Sequence, residues 1–138
     1  MATTDRLPTG PVTAERAPLT LPDDLSALGH ARDAVRDVCA AFGGDSASAE
    51  LVATELVSNA VRHGGPPIEL RVEADVSAGS LRIAVSDGGG GEPAIGAPSA
   101  TTPGGRGLLL VDAMSDRWGV ERLEAGKRVW AVVHTAAT

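Results

Sequence analysis

Apolar residues recur along the middle of this 138-residue chain with two different periods. Leu28, Ala31, Val35, Val38 and Phe42 fall at intervals of three and four, the spacing of one helix face. That spacing predicts a helix after Pro22-Asp23-Asp24, ended by Gly43-Gly44. Asp45 or Ser46 then caps a second helix running to about His63, and Gly64-Gly65-Pro66-Pro67 stops it. From Ile68 the period becomes two. Ile68, Leu70 and Val72 alternate with Glu69, Arg71 and Glu73, and Leu81, Ile83 and Val85 with Arg82, Ala84 and Ser86. These are two strands joined through Ser77-Ala78-Gly79-Ser80. The alternation implies one covered sheet face and one wet face.

Leu108, Leu109, Val111 and Met114 mark a third helix at about 105–115. A last hairpin pairs about 117–123 with 128–134 through Glu124-Ala125-Gly126-Lys127. Leu19-Thr20-Leu21 reads as a short edge strand, while residues 1–17 mix Pro, Thr, Gly and charges without periodicity and read as a loose tail. The remaining 18–138 form one domain. Residues 88–104 carry Pro93, Pro98 and Pro103 among Gly, Ala, Ser and Thr, a long loop of the kind that is usually functional or disordered. The expected fold is α/β: a two-layer sandwich with a mostly antiparallel sheet of about five strands and three helices on one face.

Composition narrows the function. Aromatic residues are confined to Phe42, Trp118 and Trp130, so aliphatic side chains must build the core. Eighteen acidic residues against twelve basic ones, all but one of the latter Arg, give a net charge of −6. Nothing there is a basic footprint for nucleic acid or a polybasic membrane anchor. The charge steers basic protein partners or serves solubility. Cys39 is the only cysteine; its place in an apolar helical pattern reads as a small core residue. The first residues lack an apolar signal core, and no apolar run approaches membrane-spanning length. A cytoplasmic location is expected.

Three short motifs carry candidate chemistry. Glu55, Asn59 and Arg62 share one helical stripe. The Asn59 amide oxygen is a hard ligand suited to Mg2+, and Glu55, one turn earlier, is placed to accept a proton. Asp87 shares the parity of Leu81, Ile83 and Val85, so its carboxylate faces the covered layer. It needs a hydrogen-bond donor there, and an adenine amine would supply one. Gly89 and Gly91 let the backbone turn with positive φ and approach a ligand closely. Gly105-Arg106-Gly107 opens a helix whose free N–H groups and dipole suit phosphate. Taken singly, a solvated stripe, an Asp-Gly turn and a flexible hinge account for each motif. Together, in this order, they describe a Mg-nucleotide site. It is not a Walker-type loop, because no Gly-Lys-Ser/Thr occurs.

These residues resemble the N, G1 and G2 boxes of the GHKL ATPase superfamily, whose Bergerat-type fold is the sandwich expected here. Glu55-Leu56-Val57-Ser58-Asn59-Ala60-Val61-Arg62-His63-Gly64, Gly105-Arg106-Gly107-Leu108-Leu109-Leu110-Val111 and the ending Trp118-Gly119 … Gly126-Lys127-Arg128-Val129-Trp130 are similar to the small bacterial anti-sigma regulatory factors, the serine kinases of partner switching. The resemblance spans about residues 19–134. It implies that Asn59 holds Mg2+, Glu55 acts as base, and Asp87 binds adenine of ATP or ADP. Gly89 and Gly91 would shape the pocket, and Gly105, Arg106, Gly107 and Leu108 would lie against the phosphates under a lid at 92–104. That lid has no basic residue before Arg106. The implied partners are a sigma factor or a STAS-type anti-anti-sigma protein phosphorylated on serine, and the implied assembly is a homodimer.

Two other readings use the same residues: a nucleotide-gated binding module without transfer, and a detached catalytic half of a histidine kinase. The chain lacks the phosphoacceptor helix pair of the latter. His30 reads as a surface or capping residue, His63 as a dipole or phosphate neighbour, and His134 supports no role.

Overall fold

The structure, a computed structural model, describes residues 2–3, 6–41, 44–89 and 105–135. Its elements in chain order are β1 (Ala2–Thr3), β2 (Ala14–Leu21), α1 (Ala27–Ala40), α2 (Ala47–His63), β3 (Ile68–Asp75), β4 (Ser80–Asp87), α3 (Gly105–Met114), β5 (Arg117–Arg122) and β6 (Lys127–His134). The strands form one sheet in the order β1-β5-β6-β4-β3-β2. β1 runs parallel to β5; every other neighbouring pair is antiparallel. Three helices on one face complete the expected two-layer α/β sandwich, with a sheet of six strands among the described residues rather than about five.

The core lies between that sheet face and the helices. α1 buries Ala31, Val35, Val38 and Cys39, and α2 buries Val52, Leu56, Val57 and Ala60, against Leu70, Val72, Leu81, Ile83 and Val85. Leu28 is only partly buried, and the expected face residue Phe42 lies outside the described residues. At the start of α2 the Ala47 N–H donates to Asp45 Oδ1 at 2.9 Å, while Ser46 makes no side-chain cap bond to the backbone. Asp45 therefore does the capping. β2 carries a register shift between Arg16 and Leu19, around Pro18, which has no N–H to give to a ladder.

Two expectations change. Part of the anticipated loose tail is ordered: β2 starts at Ala14, and residues 6–13 cross the second sheet face. Leu7 packs on Ala84, Trp130 and Val132, and the Arg82 guanidinium donates to the Gly10 and Pro11 carbonyls at 3.2 Å each. Consequently that face is not wet along the central strand β4, where Arg82 and Ala84 are buried with Leu81 and Ile83. The physical reason is apolar area. Trp130, Ala84 and Val132 point away from the helices, and covering them removes that surface from water. The face opens at its sides, at exposed Arg71 on β3 and exposed Arg117 on β5.

Candidate functional site

α2 packs against both β4 and α3, which brings the element of the first motif next to those of the other two. On α2 the polar stripe is not solvated as a whole: Arg62 is exposed, Glu55 half-buried, and Asn59 only 4% exposed. Asn59 Oδ1 finds no hydrogen-bond donor among the described residues. A buried acceptor left unsatisfied costs about 1–3 kcal/mol, a cost that a donor or cation from outside the described residues would remove. Among the described residues no group of three or more His, Cys, Asp or Glu could hold a metal. A single hard amide oxygen fits Mg2+, which keeps waters and takes most of its shell from phosphates.

Asp87 closes β4 facing the helix layer, as its parity requires, and is buried. Its carboxylate is held from two sides. Oδ1 accepts the Gly89 N–H at 3.0 Å and Lys127 Nζ at 3.1 Å, and Oδ2 lies 3.0 Å from the same Nζ. Lys127 is fully buried. The β4–β6 register sets Asp87 directly opposite Lys127, and Gly126 makes the entry possible. It has φ +97, and a Cβ there would stand 1.8 Å from the Asp87 carbonyl oxygen.

The loop after α2 packs just as closely. A Cβ on Gly64 would lie 2.4 Å from Asp87 Cγ, and one on Gly89 2.6 Å from the Gly64 carbonyl carbon. The Gly88 N–H donates to Gly65 O at 2.8 Å. Gly89 is thus required by close approach. The positive φ expected of it is absent; among the described glycines, that conformation belongs to Gly79 and Gly126.

Gly105 opens α3 as expected, and Gly107 lies in its first turn. The side chains of Arg106 and Leu108, Gly91, and nearly all of the 88–104 loop lie outside the described residues. Of the histidines, His30 is exposed and His63 half-buried at the end of α2. His134 Nδ1 meets Asp116 Oδ2 at 2.6 Å, at the opposite end of β6 from Lys127.

Lys127 is the residue that sequence reasoning missed, having been placed in the turn of the last hairpin. A usable signal was present. Lys127 shares the parity of Val129, Ala131 and Val133, all buried against the helix layer, so extending the alternation two residues back puts it on the core side.

The model of the histidine kinase-like ATPase domain matches residues 21–133, spanning the stripe on α2, Asp87 and the start of α3. The chain belongs to that family. Among solved structures, this histidine kinase-like ATPase domain is similar to that of the RsbU and RsbW domains of Rv1364c from Mycobacterium tuberculosis, at 21% identity and a TM-score of 0.65 over 88% of the present chain. That match is one of fold. The domain accounts for 33% of that longer chain. No curated protein matches it. Among the described residues no helix is long and apolar enough to cross a membrane.

Proposed function

We propose that this ATPase-family domain is an ATP-dependent regulator of the anti-sigma type, which transfers the γ-phosphate of ATP to a serine of a STAS-type partner. The observation that carries the reading is the orphaned, buried Asn59 oxygen one helical turn from Glu55. A plain solvated stripe would leave that amide in water, and a core stripe would give it a partner. Asn59 would hold Mg2+, which supplies charge neutralisation on the phosphates.

The remaining roles follow the family's motifs. Asp87 takes the adenine amine, Gly89 and Gly91 bring backbone close to the base, and Gly105, Arg106, Gly107 and Leu108 line the phosphate end, where the start of α3 offers N–H groups and its dipole. The segment 92–104 serves as the lid. Glu55 takes the proton of the attacking serine hydroxyl as that oxygen bonds to the γ-phosphorus and ADP leaves. The chain would also sequester a sigma factor and act as a homodimer.

Incubation with labelled ATP, Mg2+ and STAS proteins of the same cell tests this reading. Glu55→Gln is expected to lower transfer by roughly two to four orders of magnitude with ATP affinity little changed. Asn59→Ala should weaken Mg-dependent binding and spare Mg-free ADP binding. Binding and transfer that fall together in Glu55→Gln would make Glu55 structural. Absence of transfer by the unmodified chain to every STAS candidate, with ATP still bound, would leave the nucleotide-gated binding module.

A further inference from the structure

Lys127 has no part in the function proposed so far, although its placement is strongly determined. It is the only lysine of the chain, and it is buried completely. An ammonium group taken out of water is expensive unless paired and hydrogen-bonded. The glycine before it, held at φ +97 against the Asp87 carbonyl, fixes its entry into β6 opposite Asp87. Such an arrangement is a costly way to end a hairpin, and its consequence falls on the carboxylate assigned to the base.

A carboxylate offers about two acceptor directions on each oxygen. Oδ1 of Asp87 uses both, one for the Gly89 N–H and one for Lys127 Nζ. Oδ2 lies 3.0 Å from the same Nζ in the ion pair. Among the described residues Oδ2 is the oxygen left to accept a donor from outside, and Gly64 borders it without a side chain: a Cβ there would come within 2.6 Å of Oδ2. We infer that Lys127 is a specificity-determining residue of the nucleotide site, because with the Gly89 N–H it saturates Oδ1 and leaves Asp87 a single acceptor for one amino N–H of adenine.

Guanine carries a carbonyl oxygen where adenine has its amine, and the carboxylate repels it in that pose. To bind, guanine must shift and present its two adjacent donors, N1–H and N2–H. They match the two oxygens of an open carboxylate side by side, in the manner of a bidentate pair. With Oδ1 filled, one of them is stranded, and a buried unpaired donor is heavily penalised. Lys127 therefore blocks the bidentate pose that guanine would use and leaves the carboxylate to adenine. It also neutralises the carboxylate's charge next to a polyanionic ligand. This inference rests on the proposal that Asp87 binds the base.

Calorimetric affinities of the full chain for Mg-ATP and Mg-GTP, with thermal unfolding of each variant measured without nucleotide, test it. The unmodified chain should prefer ATP. In Lys127→Met the ratio of ATP to GTP affinity should fall by about tenfold or more, as expected when a discriminating hydrogen-bond pattern is lost. In Lys127→Gln, which keeps a neutral donor of similar size, it should fall less. Lys127→Gln carries the same comparison if Lys127→Met does not fold. A folded variant with lower stability and an unchanged ratio would overturn the inference and make Lys127 a structural counter-ion. If the unmodified chain binds neither nucleotide, the nucleotide reading itself falls, a result visible before any variant is compared.

Discussion

Gly126 combines φ +97 with backbone contact so close that a Cβ would sit 1.8 Å from the Asp87 oxygen. Neither the conformation nor the space admits a side chain, and strain and overpacking each cost roughly 1–3 kcal/mol. Gly126→Ala is expected to lose about 2 kcal/mol or more, read as the shift of a urea unfolding midpoint, and to weaken ATP binding because Asp87 must move. Cys39 gives a second residue-scale test. Burial, helped by the nearby charges of Glu50 and Asp45, pushes its thiol from 9.0 up to about 11. The unfolded chain then loses the thiol proton first, so this contribution to stability is complete below about pH 9 and is lost as pH rises towards about 11. Between those limits the stability of the unmodified chain should fall more steeply than that of Cys39→Ala, as measured by denaturation midpoints at stepped pH. Parallel profiles would show that the thiol does not contribute.

The strap formed by residues 6–13 belongs to the scale of elements, because it closes a sheet face that no helix covers. Arg82 holds it through the Gly10 and Pro11 carbonyls and pairs with Glu73 at 3.4 Å. The Thr13 N–H bonds Ala74 O at 2.7 Å, and the Val76 N–H donates to Thr13 Oγ1 at 3.1 Å. Arg82→Met keeps an apolar stem but removes the donors. Hydrogen bonds to a charged group contribute about 1.5–3 kcal/mol, so a loss of that order is expected in the unfolding midpoint. Amide exchange at Thr13 and Val76 should quicken before that of β4. Unaltered exchange there would mean that the Leu7 contact alone secures the strap.

For the molecule as a whole, the proposed nucleotide site should couple ligand binding to stability. A ligand bound by the folded state alone adds about 2.7 kcal/mol at a hundredfold excess over Kd. Mg-ATP at that excess is expected to raise the melting temperature by several degrees, Mg-GTP at the same concentration by less, and Asn59→Ala to remove the Mg-dependent part. A melting temperature indifferent to Mg-ATP would contradict nucleotide binding. The net charge of −6 acts at the same scale, where it steers basic partners or serves solubility.

The alternation of apolar residues with periods of two and near three and a half was enough to place α2, β3, β4 and α3 within about a residue of where they lie, because those periods are set by local backbone geometry. The same parity argument turned Asp87 inward, and helical spacing put Glu55 and Asn59 on one stripe. What sequence could not decide was everything that depends on register or on distant segments meeting. The partner of Asp87 is forty residues away across a strand pair, and one step in hairpin length would have turned Lys127 to the other face. The burial of Asn59 and the covering of Trp130 by a segment without periodicity were equally out of reach. Periodicity records which side of an element is apolar, and only the tertiary structure decides which element, strap or ligand comes to lie against it.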